Sequence, residues 1–432
     1  MKKKNKSVVL SILVLPVFFS GLFSAGLSPC KETPPPPTTL EFWSVFDDSD
    51  VFDPLIRQYR ETAPNITINY SKKNITTYEQ DLVNALATGR GPDIFSIHNT
   101  WLPKHIDKLA PAPETMISAK RFGELFVDVA SQDFIDSDKV YALPLSVDTL
   151  ALFYNKDLFN SSGIATPPQT WTEFNSAVEK LTQRDSKNNI LQSGAALGTA
   201  KNINRSTDIL MALMLQSGAT MMETDRSTAS FDKGVSSQSG NFNPGRQALI
   251  FYTNFASPGL KVYTWNQNQN YSIDAFVEGK TAMMLNYNYQ LPLVKARAAH
   301  LEMGVAPLPQ ISSTSKKVTF ANYWAQAVGR GSKNQIEAWK FLAWLSLPET
   351  SRQYLELTKK PAARRDLIEE QKSDDDLGIF AQQVLYAKSW WEKDNLAIEG
   401  IFADMIEAVN TGKLSVENAL NQAAAQVNLL LK

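Results

Sequence analysis

The sequence predicts an α/β fold divided between two lobes, and three observations carry that expectation. Short apolar runs such as DIFSI at 93–97 and TLALFYN at 149–155 alternate with helix-spaced segments, the pattern of layered strands and helices. About 400 residues follow a short N-terminal leader, enough for two domains of ~100–200 residues each. The chain holds one cysteine, so an apolar core rather than disulfides must stabilise the fold.

Lys2, Lys3, Lys4 and Lys6 precede an apolar run from Val8 to Phe23, the layout of a secretory signal peptide, here assigned to residues 1–29. The run is shorter than the ~20 apolar residues a spanning helix needs, and Pro16 interrupts it. The mature chain is therefore expected outside the cytoplasm. Leu27-Ser28-Pro29-Cys30 resembles the lipobox of bacterial lipoproteins, which implies that Cys30 carries lipid and tethers the protein to a membrane. Pro29 departs from that pattern, where a small residue is the rule, and cleavage nearby by an ordinary signal peptidase, giving a periplasmic or secreted protein, is the alternative. Residues 30–39 carry four consecutive prolines, which favour a stiff extended spacer.

The elements follow in order. Strands are expected at 40–46, 66–71, 93–97, 140–145 and 149–155. Asp53-Pro54 has the cap and first-turn chemistry of a helix start, with Phe52, Leu55, Ile56 and Tyr59 on one face. Thr170-Trp171-Thr172-Glu173 has capping-box spacing and opens a helix through Leu181. Ile336, Trp339, Leu342 and Leu345 mark another helix, and a Ser415 cap opens the last. The Ser-, Gly- and Asn-rich stretch from Thr224 to Pro244 reads as an irregular surface excursion.

Forty-three basic residues stand against 44 acidic ones, a net charge of −1 with no long basic run past the leader, so nucleic-acid binding has no electrostatic support. A small neutral polar ligand suits that balance. A sugar presents hydroxyls and flat C–H faces, so its site needs amide or carboxylate groups beside aromatic rings. Such groups gather where strand ends open into loops: Trp43 and Asp47, Asn99 and Trp101, Asp148, Asn286, Tyr287 and Tyr289, and Tyr323 with Trp324. Trp43 could equally pack in the core, since large aromatics are usually mostly buried. Trp171, Trp339 and Trp344 lie in helices and are expected inside. The pair Trp390-Trp391, read as helical, cannot place both rings on one core. His98 has no second histidine or cysteine nearby, so no metal and no cofactor is expected.

The order of segments resembles the bacterial extracellular solute-binding proteins of family 1, the sugar-capturing partners of ABC importers. The resemblance covers most of residues 40–432. Its marks are LATGRGPDIFSIHNTWL at 86–102, YALPLSVDTLALFYNKDLF at 141–159, PPQTWTEF at 167–174, AFVEGKTAMMLNYNY at 275–289, MGVAPLP at 303–309 and NYWAQAVGRGSKNQIEAWKFLAWL at 322–345. It implies a periplasmic-binding-protein-like fold with mixed sheets, an interlobe cleft and several hinge crossovers near Ser146–Asp148, Gly304–Pro307 and Arg330–Lys333. Lobe 1 would comprise 40–147 and 305–331, and lobe 2 148–304 and 332–432. Asp148 falls at the family's ligand carboxylate and Tyr289 at its stacking ring. The implied partners are a sugar, the permease subunits of an ABC importer and a membrane reached through the lipid anchor, with the protein a monomer.

Two other classes remain open. An extracellular glycoside hydrolase could use Asp47 and Asp148 as its carboxylate pair, although no catalytic motif surrounds either. The same fold could bind a polyamine or peptide, because fold does not fix ligand.

Overall fold

The computed structural model describes residues 36–237 and 240–432. The expected signal peptide, Cys30 and the start of the proline-rich spacer lie outside the described residues. The spacer also ends earlier than expected, because Thr38 already pairs with Ile66 in the first sheet.

In that sheet the strands Ile66–Lys72, Thr38–Ser44, Ile94–His98, Trp324–Gly329 and Leu109–Ala110 lie in this order, with Ala142–Pro144 also pairing along Trp324–Gly329. The first three run parallel, and Trp324–Gly329 returns antiparallel, so the sheet is mixed. Leu40, Phe42 and Ser44 are buried while Glu41 is exposed, the period-two pattern of a strand with one face on a core. Ile94–His98 is buried at every residue, as a central strand covered on both faces must be. A second sheet places Ala151–Asn155 between Met283–Asn286 and Met303–Pro307, all antiparallel. There a Cβ on Gly304 would meet the Tyr154 ring at 2.5 Å, so glycine lets that ring lie across the neighbouring strand.

Each sheet has its own apolar core, which gives the two lobes. The first core gathers side chains from Leu40 to Val147, from Ala321 to Val328, and from Ala338 to Ala387 apart from Phe380. The second takes Leu150 to Leu308, Phe320 and Trp390 to Val427. This corrects the expected partition at two places. Residues 305–308 stay in the second lobe because Met303–Pro307 pairs along its whole length with Ala151–Asn155. Residues 338–387 belong to the first, where helix Gln335–Leu345 buries Trp339, Phe341 and Leu342.

The chain therefore crosses between lobes at 147–150, 320–321 and 387–390. The first crossing is where it was expected; the other two are not near 304–307 or 330–333. The middle crossing hydrogen-bonds to both of the others: Leu150 N to Phe320 O (3.1 Å), Asn322 N to Asp148 O (3.0 Å) and Ala321 N to Lys388 O (2.9 Å). The hinge is a narrow strip of paired backbone.

Local signals hold with one shift. Thr170 Oγ1 accepts from Glu173 N at 3.2 Å and the Glu173 carboxylate accepts from Thr170 N at 3.0 Å, the reciprocal capping box. Ser415 Oγ caps Val416–Leu430 by accepting from Asn418 N at 3.2 Å. The helix expected at Asp53 instead spans Ser49–Thr62 with Asp48 at its N-cap. Pro54 is tolerated inside it because only the bond back to Asp50 is lost, while Phe52, Leu55 and Tyr59 are buried. The 224–244 stretch contains a hairpin of Val235–Ser237 with Gly240–Phe242. Among the described residues no helix is long and apolar enough to cross a membrane.

Candidate ligand-binding cleft

The first lobe contributes an aromatic wall. Trp324, at the head of its strand, meets the rings of Trp101 at 5.1 Å, His98 at 5.4 Å and Phe46 at 5.7 Å, all edge-on. Phe46 sits at φ +67°, a left-handed conformation that turns its ring out of the strand, and it is 53% exposed. His98 is buried between Thr100 Oγ1 at Nδ1 (2.8 Å) and Asn322 Oδ1 at Nε2 (3.2 Å). Burial pushes its pKa down to about 4, so the ring is neutral at pH 7, with Nε2 donating to Asn322.

The second lobe contributes a tyrosine pair over a charged cluster. Tyr287 and Tyr289 stack at 5.8 Å with 14° between ring planes. Tyr287 is fully buried and donates from its hydroxyl to Asp208 Oδ2 at 2.6 Å; Tyr289 is 47% exposed. Arg205 grips Asp208 through Nε (2.9 Å) and Nη2 (2.7 Å) and reaches Glu399 at 3.1 Å. Asn322, on the second crossing, joins the two walls: it accepts from His98 and donates to Asp208 Oδ2 at 3.3 Å.

Asp148 holds the turn that carries the tyrosines. Its Oδ1 accepts from Thr149 N (2.7 Å) and Asn288 N (2.9 Å), and its Oδ2 from Tyr289 N (2.9 Å). Burial pushes its pKa up to about 7 against the pull of those three amides.

The other expected residues are dispersed. Asn286 is fully buried, with Oδ1 accepting from Tyr287 N at 2.9 Å, and so shapes the turn beneath the surface. Tyr323 is buried on the face of its strand opposite Trp324 and donates to Asp133 Oδ2 at 2.8 Å. Asn99 donates to the same oxygen at 3.1 Å and lines a cavity of about 480 Å³ between the lobes, together with Gln132, Met221, Arg226, Trp390 and Trp391. That cavity reaches neither Asp148 nor Tyr289. Trp101 is 5% exposed, with Nε1 donating to Asn395 Oδ1 of the other lobe at 3.2 Å. Asp47 is taken up by Lys360 Nζ at 2.5 Å and the Tyr354 hydroxyl at 2.8 Å. Trp43 is half-buried under Lys73 Nζ, 3.9 Å from the ring centroid, and touches none of the groups above.

The site thus draws on residues that strand-end reasoning missed: Phe46, Arg205, Asp208, Asn322 and Glu399. The i,i+3 spacing of Arg205 and Asp208 at a helix start was the one local signal for any of them. Trp390 and Trp391 lie in neither helix nor strand, between Ala387–Lys388 and helix Asn395–Asn410. One ring can therefore enter the core, where Trp390 donates to Met211 Sδ at 2.9 Å, while the other lies under Arg226, 5.9 Å away. Among the described residues no group of three metal-ligating side chains converges.

Against known proteins, the family model for bacterial extracellular solute-binding proteins matches residues 44–351. The maltotriose-binding protein of Pyrococcus abyssi is 25% identical over 79% of this chain and 70% of its own length. The maltodextrin-binding protein of Bacillus subtilis is 23% identical over 83% of each. The structure of a cyclic alpha-maltosyl-1,6-maltose binding protein from Arthrobacter globiformis superposes with a TM-score of 0.76 at 22% identity, over 92% of this chain and 99% of that one. With that match covering most of the chain, and two cored lobes joined by three hydrogen-bonded crossings beneath it, the chain belongs to the bacterial extracellular solute-binding protein family.

Proposed function

We propose that this protein captures a saccharide outside the cytoplasm by closing its lobes on it, and hands it unchanged to the membrane subunits of an ABC importer. The observation that carries the reading is Tyr289: a half-exposed ring stacked on the buried Tyr287, whose hydroxyl is bonded to the Asp208–Arg205 pair. A flat face next to charged donors and acceptors is what a sugar ring with its hydroxyls requires. The edge-on rings of Phe46 and Trp324 offer an apolar surface on the other lobe. Ligand that contacts both walls favours the closed arrangement by its higher affinity for it. Relatives named for maltotriose and maltodextrin support the same substrate class.

In this reading the protein acts as a monomer, without metal or cofactor, tethered through lipid on Cys30. A hydrolytic pair gains no support, since both oxygens of Asp47 and of Asp148 already accept from protein donors. Calorimetry against a panel of mono- and oligosaccharides, with small-angle scattering on any binder, tests the proposal. Binding with a reduced radius of gyration is expected; binding of polyamines or peptides alone would replace the saccharide.

A further inference from the structure

The lobes touch at both edges of the hinge strip, and the two cleft walls run from one contact to the other. Beside the third crossing, Trp101 Nε1 donates to Asn395 Oδ1 at 3.2 Å, Lys393 donates to the Pro103 carbonyl at 3.1 Å, and Lys104 pairs with Asp394 at 2.8 Å. Beside the first crossing, Asn288 Nδ2 donates to the Lys359 carbonyl at 3.0 Å. That bond is fixed from both sides. Asn288 N is held on Asp148, and the segment carrying Lys359 runs along the crossing, where Val147 N donates to Pro361 O at 3.0 Å and Ser146 bridges Ala362.

Between these contacts the walls are short. On the first lobe, Lys360 is bonded to Asp47, whose neighbour Phe46 meets Trp324, and Trp324 meets Trp101. Trp101 is itself taken up in the contact at one edge, which leaves the rings of Phe46 and Trp324 for a ligand. On the second lobe, Tyr289 follows Asn288, and its stack on Tyr287 leads through Asp208 and Arg205 to Glu399, about one helical turn from Asn395. There the exposed ring is Tyr289 alone, since Tyr287 is buried beneath it. Asn322 closes the floor by bonding to His98 of one lobe and Asp208 of the other.

We propose that the closed cleft is a pit stopped at both ends, so that the saccharide it takes is a mono- or disaccharide and not a longer chain. The inference rests on the saccharide reading above. A third ring lying along the walls would hold the lobes apart at one edge and forfeit the bonds made there. Such a ligand has less affinity for the closed arrangement and favours it less.

The test is isothermal titration calorimetry of the purified protein with glucose, galactose and mannose and with their α-1,4- and β-1,4-linked di-, tri- and tetrasaccharides. The tightest binder should have one or two rings, and the trisaccharide of the same series should bind at least about tenfold more weakly. A tri- or tetrasaccharide that binds as tightly overturns the inference and leaves the saccharide reading standing; binding of no saccharide in the panel removes both. The double variant Lys393→Ala/Asn395→Ala breaks two of the three bonds at one edge, and in it the trisaccharide should come within about threefold of the shorter ligand. Asn288→Ala frees the other edge and serves the same comparison if the double variant folds poorly. A length penalty unchanged in both variants places the limit outside these contacts and also overturns the inference.

Discussion

The hydroxyl of Tyr287 donates to Asp208 Oδ2 at 2.6 Å, and the ring it immobilises is the floor on which Tyr289 stacks. Burial and half-exposure thus divide two tyrosines that are two residues apart into a support and a contact surface. Tyr287→Phe keeps the floor and removes a hydrogen bond to a buried carboxylate, so it should cost stability by about 1.5–3 kcal/mol in urea unfolding. Tyr289→Ala removes an exposed face and should weaken saccharide binding about tenfold, near 1.4 kcal/mol, with little change in melting temperature. A Tyr289→Ala variant that binds as well as the parent protein would move the contact surface elsewhere.

Asp148 behaves differently, because its carboxylate serves the backbone. Asp148→Ala leaves three amides without their acceptor at the turn bearing Tyr289, so stability and affinity should fall together, stability by about 1–3 kcal/mol. Denaturation and calorimetry on the same preparation check this. Native stability with weakened binding would instead put the carboxylate directly on the ligand.

Sequence periodicity exposed the strands and the capped helices, because those signals are local. It failed where neighbours diverge by a single register step. Tyr323 and Trp324 are neighbours at the head of one strand, but alternation sends one into the core beside Asp133 and the other into the cleft, and composition carries no sign of which. Lobe membership of 338–387 depended on long-range packing of Trp339 and Phe341. Arg205 and Glu399 come from segments far apart in the chain and meet only through the fold. Trp390-Trp391 misled by being read as a helix, which hid that one ring enters the core while the other lies under Arg226.

Stability should fall as pH rises toward neutrality. Burial pushes Asp133 and Asp148 each up to about 7, against ~3.9 when unfolded. Their contribution is fully present below pH ~4 and is lost as pH rises through about 7. His98 acts oppositely: pushed down to about 4 from ~6.5, its contribution is present above pH ~6.5 and lost as pH falls through about 4. Two carboxyls outweigh one imidazole between these limits, and above pH ~6.5 the carboxyls act alone. Melting temperature should therefore be higher at pH ~5.5 than at pH ~7.5, each carboxyl contributing at most about 1.4 kcal/mol per pH unit. Asp133→Asn should flatten the slope whatever it does to absolute stability, and an unchanged slope would remove Asp133 from the account.

Closure itself is reachable through bonds that exist only while the lobes touch. Trp101 Nε1 donates to Asn395 Oδ1 at 3.2 Å, Lys104 pairs with Asp394 at 2.8 Å, and Lys393 donates to the Pro103 carbonyl at 3.1 Å. Asp394 also caps helix Asn395–Asn410 by accepting from Ala397 N, so alanine there would confound closure with folding. Asp394→Ser keeps a capping oxygen and breaks only the half-exposed ion pair, while Trp101→Phe keeps the stack on Tyr78 and deletes the donor. Each should disfavour the closed state by about 0.5–1.5 kcal/mol and speed ligand release roughly two- to tenfold with association little changed. Stopped-flow release rates at unchanged thermal stability would locate the effect in closure. Parental release rates in the combined variant would show that these two contacts are bystanders to it.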